Sequence, residues 1–239
     1  MEDALYEIES MRQFAGLKLD RLLDETTILK FRHFLEHHGL GKVLFQEVNK
    51  HLEINGLMLR EGSIVDATII SAPSSTKNKK GKRDPEMHQA KKGGSWHFGM
   101  KMHISVDDKL GLIHSIETTA VNVHDIVSAG QLLHGEEQRV FGVAGYLGIQ
   151  KRDEHKHRSD VSWYIAKRPG TRKTLDARRQ KVEKIKASIR AKVEHHFRYI
   201  KHVFGYGKVR YRGLTKNTQR LHLLAAFSNL LISEKHLWE

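Results

Sequence analysis

The chain has 239 residues, of which 39% are hydrophobic, so it is long and apolar enough to fold around one sizeable core or two small ones. Its 41 Lys and Arg against 28 Asp and Glu give a net charge of +13, which favours nucleic acid as a polyanionic partner, although a ribosome-associated or simply soluble basic protein also fits. The lack of cysteine excludes disulfides, thiolate zinc sites and thiol nucleophiles, and the start lacks the apolar run of a signal peptide.

The first predicted elements are helices. Apolar residues recur at helical spacing in three stretches of residues 1–60, which we therefore treat as an N-terminal helical region. Asp24 or Thr26 is placed to cap the second helix, and Asn55-Gly56 supplies a stop signal for the third.

Strands follow. The stretch 63–70 is β-branched and apolar and predicts a strand that carries one acid, Asp66. Residues 73–95 are rich in Lys, Ser, Asn and Gly, which predicts a basic loop without packed structure. The stretches 96–106 and 112–120 predict a β-hairpin, since a short polar turn joins them.

The second half alternates helices and strands, which together with the first three strands predicts an α/β fold: a mixed sheet covered by helices, in an order that matches the RNase H-like arrangement. The predicted elements are a helix over 124–133, strands over 139–144 and 162–166, a basic loop over 167–181, a helix over 185–200, and a last helix that carries Leu221 to Leu231 and is capped by Thr215 or Asn217.

Asp66 is a candidate for chemistry because an unpaired carboxylate is costly to bury in an apolar strand. Phosphodiester cleavage commonly uses two divalent metals held by clustered carboxylates, since hard Mg²⁺ prefers oxygen ligands. The structural alternative is that Asp66 ends its strand at the surface or belongs to an ion-pair network.

Glu194 is a second candidate. Arg190, Glu194, Phe197 and Lys201 follow one another at spacings of four, three and four, so they share one face of the predicted helix. A carboxylate between two cations suits a metal with phosphates beside it, whereas the structural alternative is an ordinary salt-bridge ladder.

These motifs together resemble a known family. The spacing Arg190-x3-Glu194-x6-Lys201 matches an R-x3-E-x6-K signature, and Asp66 in its strand matches the first catalytic aspartate of the same family. Further matching segments follow in family order at 1–40, 84–89, 96–103, 123–125 and 208–214. On these residues the sequence resembles the DDE transposases of bacterial insertion sequences, most of all the insertion-sequence-five group.

The resemblance implies an RNase H-like catalytic domain over 61–239, with Asp66 and Glu194 as catalytic and metal-binding acids and Arg190 and Lys201 as cations that contact DNA. It implies Mg²⁺- or Mn²⁺-dependent cleavage and transfer of double-stranded DNA at element ends, in the cytoplasm of a bacterium and without membrane attachment. A homo-oligomer or a complex with a full-length transposase is also expected.

One position departs from the family in a way that bears on chemistry. Val143 stands where the second catalytic aspartate is expected, and valine offers a metal no lone pair. We expect weakened metal binding and impaired catalysis, because each ~1.4 kcal/mol of lost transition-state stabilisation slows a reaction tenfold. Asp125 is the best candidate for a replacement ligand, ahead of Asp107 and Asp108; its structural alternative is a helix N-cap.

Two further departures concern the helical parts. Ala187 replaces the signature tyrosine, a change that a helix tolerates well. Family members carry a further N-terminal helical segment for recognition of DNA ends, so we expect this chain to be a truncated copy.

Three functions therefore stay open: a DNA-binding member of the family with little catalysis, an active transposase that uses a displaced carboxylate such as Asp125, and a non-catalytic regulator of full-length transposase. The two basic loops are expected to contact DNA or, alternatively, to be merely solvated. The pairs His155/His157 and His195/His196 have no third ligand at a metal-binding spacing, so we predict structural or DNA-contacting roles for them.

Overall fold

The computed structural model of the chain describes residues 2–21 and 23–237, which fall into two compact units, Met1–Gly41 and Lys42–Glu239. Among the helices of these residues, none is both long and apolar enough to cross a membrane. The predicted boundary at residue 60 lies inside the second unit; the assignment of 61–239 as the catalytic domain stays a prediction.

The described residues of the first unit form the helices α1 (Glu2–Glu7), α2 (Glu9–Phe14) and α3 (Glu25–His37) and a 3-10 turn, Leu19–Arg21. The extended backbone of Ile8 interrupts the first predicted helix and separates α1 from α2. Asp24 caps α3, because its carboxylate accepts a hydrogen bond of 2.7 Å from the backbone N–H of Thr27. Of the two predicted caps, Asp24 is therefore confirmed, and Thr26 donates its hydroxyl to Asp24.

A six-stranded mixed sheet forms the centre of the second unit, which confirms the predicted fold class. The strand order is β2-β3-β1-β5-β6, and β4 pairs with β3; β1 pairs antiparallel with β3 and parallel with β5. This is the RNase H-like arrangement. The strands are β1 (Gly62–Ser71), β2 (His88–Lys92), β3 (Ser95–Asp107), β4 (Ile113–Ala120), β5 (Arg139–Gly142) and β6 (Ser162–Ile165).

Helices cover both faces of the sheet. Ile64 packs with Val193 and Leu224, whereas its neighbour Val65 packs in a different cluster with Leu132, because successive strand residues point to opposite faces. The helices are α4 (Leu40–Ile54), α5 (Ala129–Leu132), α6 (Pro169–Lys173), α7 (Ala177–Arg198) and α8 (Leu214–Leu237).

Strand β2 corrects the prediction of an unstructured loop over 73–95. Its side chains are mostly exposed, so it carries no alternation of apolar and polar residues that would reveal it. Backbone pairing with β3 holds it in place, and the two strands are joined at Gly93-Gly94, where both φ angles are positive as in a tight hairpin turn.

The predicted basic loop over 167–181 is also wrong. Pro169 stands at the start of α6, where proline's fixed φ and missing N–H are tolerated, and α7 begins at Ala177 after the cap Asp176. The helix predicted over 124–133 is a 3-10 turn, Asp125–Ser128, followed by the single turn of α5.

The N-terminus of α8 is capped by residues that are distant in the sequence. The backbone N–H groups of Gly213 and Leu214 donate to the carboxylates of Asp84 and Glu86, at 2.7 Å and 2.8 Å. The predicted caps Thr215 and Asn217 are therefore wrong, since both lie inside the helix. Two acids from the loop after β1 fulfil the capping role.

Candidate active-site cleft

The cleft lies along one edge of β1. This edge pairs with β5 only over Gly62–Val65, and an isolated bridge joins Ser71 to Lys208 further along. Asp66 is the first residue beyond the parallel pairing, so it lies where two adjacent parallel strands separate. Clefts at such strand ends are common ligand sites in sheets of this kind.

The Asp66 side chain is buried and held by few partners. Its exposure is 8%, one carboxylate oxygen accepts a hydrogen bond of 2.7 Å from the Ala67 N–H, and the other lies 3.7 Å from Nε of Arg190. Loss of hydration raises the pKa of Asp66 to about 6, and the nearby Glu194 adds to this effect, although the Ala67 N–H and Arg190 oppose it. Asp66 is therefore partly protonated near neutral pH unless a further cation joins it.

Glu194 and Lys201 line the neighbouring part of the cleft. A cavity of about 490 Å³ is bordered by both residues together with Thr68 and Phe197. Lys201 donates a hydrogen bond of 3.1 Å from Nζ to the Thr68 hydroxyl, and partial burial lowers the pKa of this lysine. The predicted common face of Glu194, Phe197 and Lys201 is thus confirmed.

The alternative of a salt-bridge ladder on α7 is not realised. Among the described side chains, Glu194 makes no ion pair within 4.0 Å, whereas Arg190 reaches across to Asp66 on β1. The helix widens into a π turn over Tyr199–Val203, which carries Lys201 to the sheet. π turns inside α-helices often occur at functional sites.

Val143 directly follows the last residue of β5 that pairs with β1. The last paired residues are Val65 and Gly142, so Asp66 and Val143 are each the first residue beyond the pairing. Val143 is half-buried and packs against the apolar cluster that contains Val65 and Tyr146. Val143 therefore directs hydrocarbon into this cluster, and its side chain offers no oxygen ligand at the end of the pairing.

Asp125 is engaged in an ion pair. Its carboxylate accepts a hydrogen bond of 2.7 Å from Nζ of Lys101, which also donates to the Val123 carbonyl. The alternative of an N-cap is wrong for Asp125, because the cap of its 3-10 turn is His124. Asp125 as a replacement ligand stays a prediction, against which the ion pair with Lys101 argues.

Tyr146 lies close to both Asp66 and Asp125. Its ring is fully buried, and within the described part of the chain its hydroxyl has no hydrogen-bond partner. Burial raises the pKa of Tyr146, and the nearby carboxylates of Asp125 and Asp66 raise it further. A Cβ at Gly145 would approach an oxygen of Asp125 to 2.8 Å, so the turn after Val143 packs tightly against this acid.

The other two candidates for replacement are used by the fold. Asp107 is fully buried and accepts three backbone N–H groups, from Lys109, Leu110 and Leu112, in the turn between β3 and β4. Asp108 forms an ion pair with Arg139. Both carboxylates therefore stabilise the hairpin and its connection to β5.

A metal centre requires several carboxylate or imidazole ligands close together. Among the side chains that the structure describes, no three His, Asp or Glu gather closely enough to hold a metal ion. Asp66 and Glu194 supply two carboxylates, and a two-metal centre needs a further one to bridge the ions. The residues present do not fit the complete metal site of a DDE enzyme.

The histidine pairs have structural contacts. His196 is buried between the Ser228 hydroxyl and the Gly111 carbonyl, which confirms a structural role for it. His155 is buried with its ring centroid 5.6 Å from that of Trp163.

Four neighbours of the site were missed as site residues: Thr68, Lys92, Lys101 and Tyr146. Thr68 could have been found, because it follows Asp66 by two residues and so shares its face of the strand. Lys92 was assigned to a loop, yet its charge acts on both Asp66 and Lys201. No local pattern marks Lys101, whose partner Asp125 is 24 residues away.

One comparison with known proteins identifies a family, and another found nothing. The search of solved structures found no significant match. The sequence model of the transposase DDE domain matches residues 58–230, a range that begins just before β1 and includes Asp66, Val143 and Glu194. Because the match spans well over half of the chain, the protein belongs to the family of transposase DDE domains.

Proposed function

We propose that this protein binds double-stranded DNA as an insertion-sequence transposase of the insertion-sequence-five group, and that strand cleavage and transfer at element ends are severely impaired by Val143. The family supports a role connected with transposition. The observation that supports the impairment is that no three His, Asp or Glu gather among the described side chains, while a valine follows the end of the pairing between β1 and β5.

The assigned roles follow the family. Asp66 and Glu194 are the remaining acids, and they bind Mg²⁺ or Mn²⁺ only weakly, because a third carboxylate ligand is lacking. Arg190 and Lys201 bind the phosphates of DNA next to these acids, and both side chains already point to β1. A homo-oligomer or a complex with full-length transposase remains part of the prediction.

DNA binding is supported by charge. The net charge of +13 attracts a polyanion, and contacts with phosphates release counterions, so affinity falls steeply with salt.

The ion pair of Asp125 with Lys101 argues against the alternative of an active enzyme that uses this carboxylate.

The test combines binding with cleavage. The purified chain is titrated into a labelled DNA duplex over a series of salt concentrations, and incubated with supercoiled plasmid in Mg²⁺ or Mn²⁺. We expect salt-dependent binding and no nicking beyond that of Asp66→Ala. Metal-dependent nicking that Asp66→Ala abolishes would overturn the proposed impairment, and the absence of binding at low salt would overturn the DNA partner.

A further inference from the structure

A second basic feature lies at the far end of β1, where two distant segments meet. The Ser71 N–H donates to the Gly207 carbonyl at 3.1 Å, and the Val209 N–H donates to the Ser71 carbonyl at 2.8 Å. These bonds join the segment 207–212 to the start of the loop 72–84. The two segments enclose a pocket of about 280 Å³.

Four cations line this pocket. They are Lys82 and Arg83 from the loop, and Arg210 and Arg212 from the segment before α8; all four are exposed. The one carboxylate in the wall belongs to Asp84, which is already committed, since it accepts the Gly213 N–H at the start of α8. We call these four cations the basic pocket.

The cations are oriented but not neutralised. Among the described residues, no carboxylate lies within 4.0 Å of any of the four side-chain charges. Instead, Arg83 donates to the Ser74 carbonyl at 2.7 Å, and Arg212 to the Arg83 carbonyl at 3.5 Å. Uncompensated like charges repel, so a bound polyanion would stabilise this arrangement.

The chemistry of the pocket fits a phosphodiester. Guanidinium groups bind phosphate oxygens in pairs of parallel hydrogen bonds, and three of the four cations are arginines. Because all four cations are exposed, the backbone phosphate of a duplex can approach them from solvent.

Strand β1 connects the basic pocket with the cleft around Asp66. Ala72 lines the pocket and follows Asp66 by six residues, which corresponds to about 20 Å along an extended chain. A DNA duplex rises ~3.4 Å per base pair, so this distance corresponds to about six base pairs. One duplex can therefore reach both places.

We infer that the basic pocket binds a backbone phosphate of double-stranded DNA about six base pairs from the phosphate at Asp66. The contact is independent of sequence, and it anchors the duplex along β1. This inference rests on the proposed function, because it assumes that duplex DNA is the partner of the cleft.

The experiment measures how the affinity for a labelled 25-base-pair duplex depends on salt. The double variant Arg210→Ala/Arg212→Ala is compared with Arg152→Ala/Lys156→Ala, which removes the same charge from residues that pair with Glu154 and Asp153. We expect the slope of log K against log salt to become shallower by about 2 in the first variant and to stay unchanged in the second. Arg210→Lys/Arg212→Lys should retain the slope, because it retains the charge.

Thermal unfolding checks that the variants fold. If the double arginine variant does not fold, the single variant Lys82→Ala, at an exposed residue, replaces it, and we then expect the slope to become shallower by about 1. Equal slopes for wild type and the folded pocket variants, or an equal loss in Arg152→Ala/Lys156→Ala, would overturn the pocket. Failure of the wild type to bind the duplex would instead overturn the proposed function.

Discussion

The two sides of the cleft differ in the charge of the side chains that line them. The side formed by β1, α7 and the π turn carries two acids and two cations, Asp66, Glu194, Arg190 and Lys201, of which Asp66 and Arg190 form an ion pair. The side formed by the end of β5 carries Val143, which packs in an apolar cluster. On the same side, Asp125 forms an ion pair with Lys101. One half of the cleft is lined by charged side chains, while the other combines an apolar contact with a closed ion pair.

On the proposed function, this difference explains how the site lost one ligand and kept its fold. A buried carboxylate destabilises a protein unless it is paired, as the raised pKa of Asp66 indicates. Compared with the aspartate that the family pattern predicts at position 143, valine lacks such a carboxylate and adds an apolar contact with its cluster. We therefore expect the fold to tolerate valine here and the proposed loss to affect only the chemistry.

The largest expected effect comes from restoring the missing side. Val143→Asp places a carboxylate beside Asp66, and we expect Mn²⁺-dependent DNA cleavage to rise at least ~1000-fold, the equivalent of ~4 kcal/mol of transition-state stabilisation. Plasmid nicking measures it. Val143→Asn is the matched control, since an amide has a similar size but no charge. If Val143→Asp also remains inactive in the presence of Mn²⁺, the impairment has another cause.

The next largest effect is expected on the stability of the protein when Asp66, on the side of the cleft formed by β1 and α7, is replaced. Asp66→Asn should raise the free energy of unfolding by about 2–3 kcal/mol at pH 7, because the pKa of Asp66 rises from 3.8 to about 6 on folding. The folded state holds the proton more tightly, so the penalty is absent below pH ~4 and grows as the pH rises through ~6. Urea unfolding at several pH values measures this difference.

In the same experiment, Glu183→Gln is a control in an acid whose pKa is lowered by its partners, and it should show the opposite sign. A gain in stability for Asp66→Asn that is the same at pH 4 and pH 7 would contradict the assigned ionisation.

A smaller effect is expected at the ion pair behind Val143. Asp125→Asn should lower the free energy of unfolding by about 1–2 kcal/mol, because Lys101 and Asp125 are 16% and 24% exposed and the lysine loses its charged partner. Asp153→Asn, in an exposed pair with Lys156, should change stability very little. In the Val143→Asp background, Asp125→Asn should leave cleavage unchanged; its loss would identify Asp125 as a metal ligand.

The smallest effect tests the contact between α7 and β1. Thr68→Val keeps the shape of the side chain and removes the hydroxyl that accepts from Lys201, so we expect a loss of stability of less than ~1 kcal/mol. DNA binding at moderate salt should persist, since the charge of Lys201 remains. Loss of binding in a folded Thr68→Val variant would mean that the orientation of Lys201, and not only its charge, is required.

The sequence by itself determined the elements with strong local patterns. Alternating β-branched residues predict β1 with Asp66, and a period of 3.6 predicts the shared face of Glu194 and Lys201, because each pattern reflects one buried face of one element. The identity of residue 143 needed no structure either, since a valine cannot act as a metal ligand wherever it lies.

Tertiary structure decided what depends on distant partners. β2 exists because β3 offers hydrogen bonds, and α8 begins where Asp84, 129 positions away, accepts the Gly213 N–H. The pairing of Lys101 with Asp125 and the basic pocket arise in the same way. Such contacts leave no periodic signal, because each joins single residues from segments whose closeness only the folded chain produces.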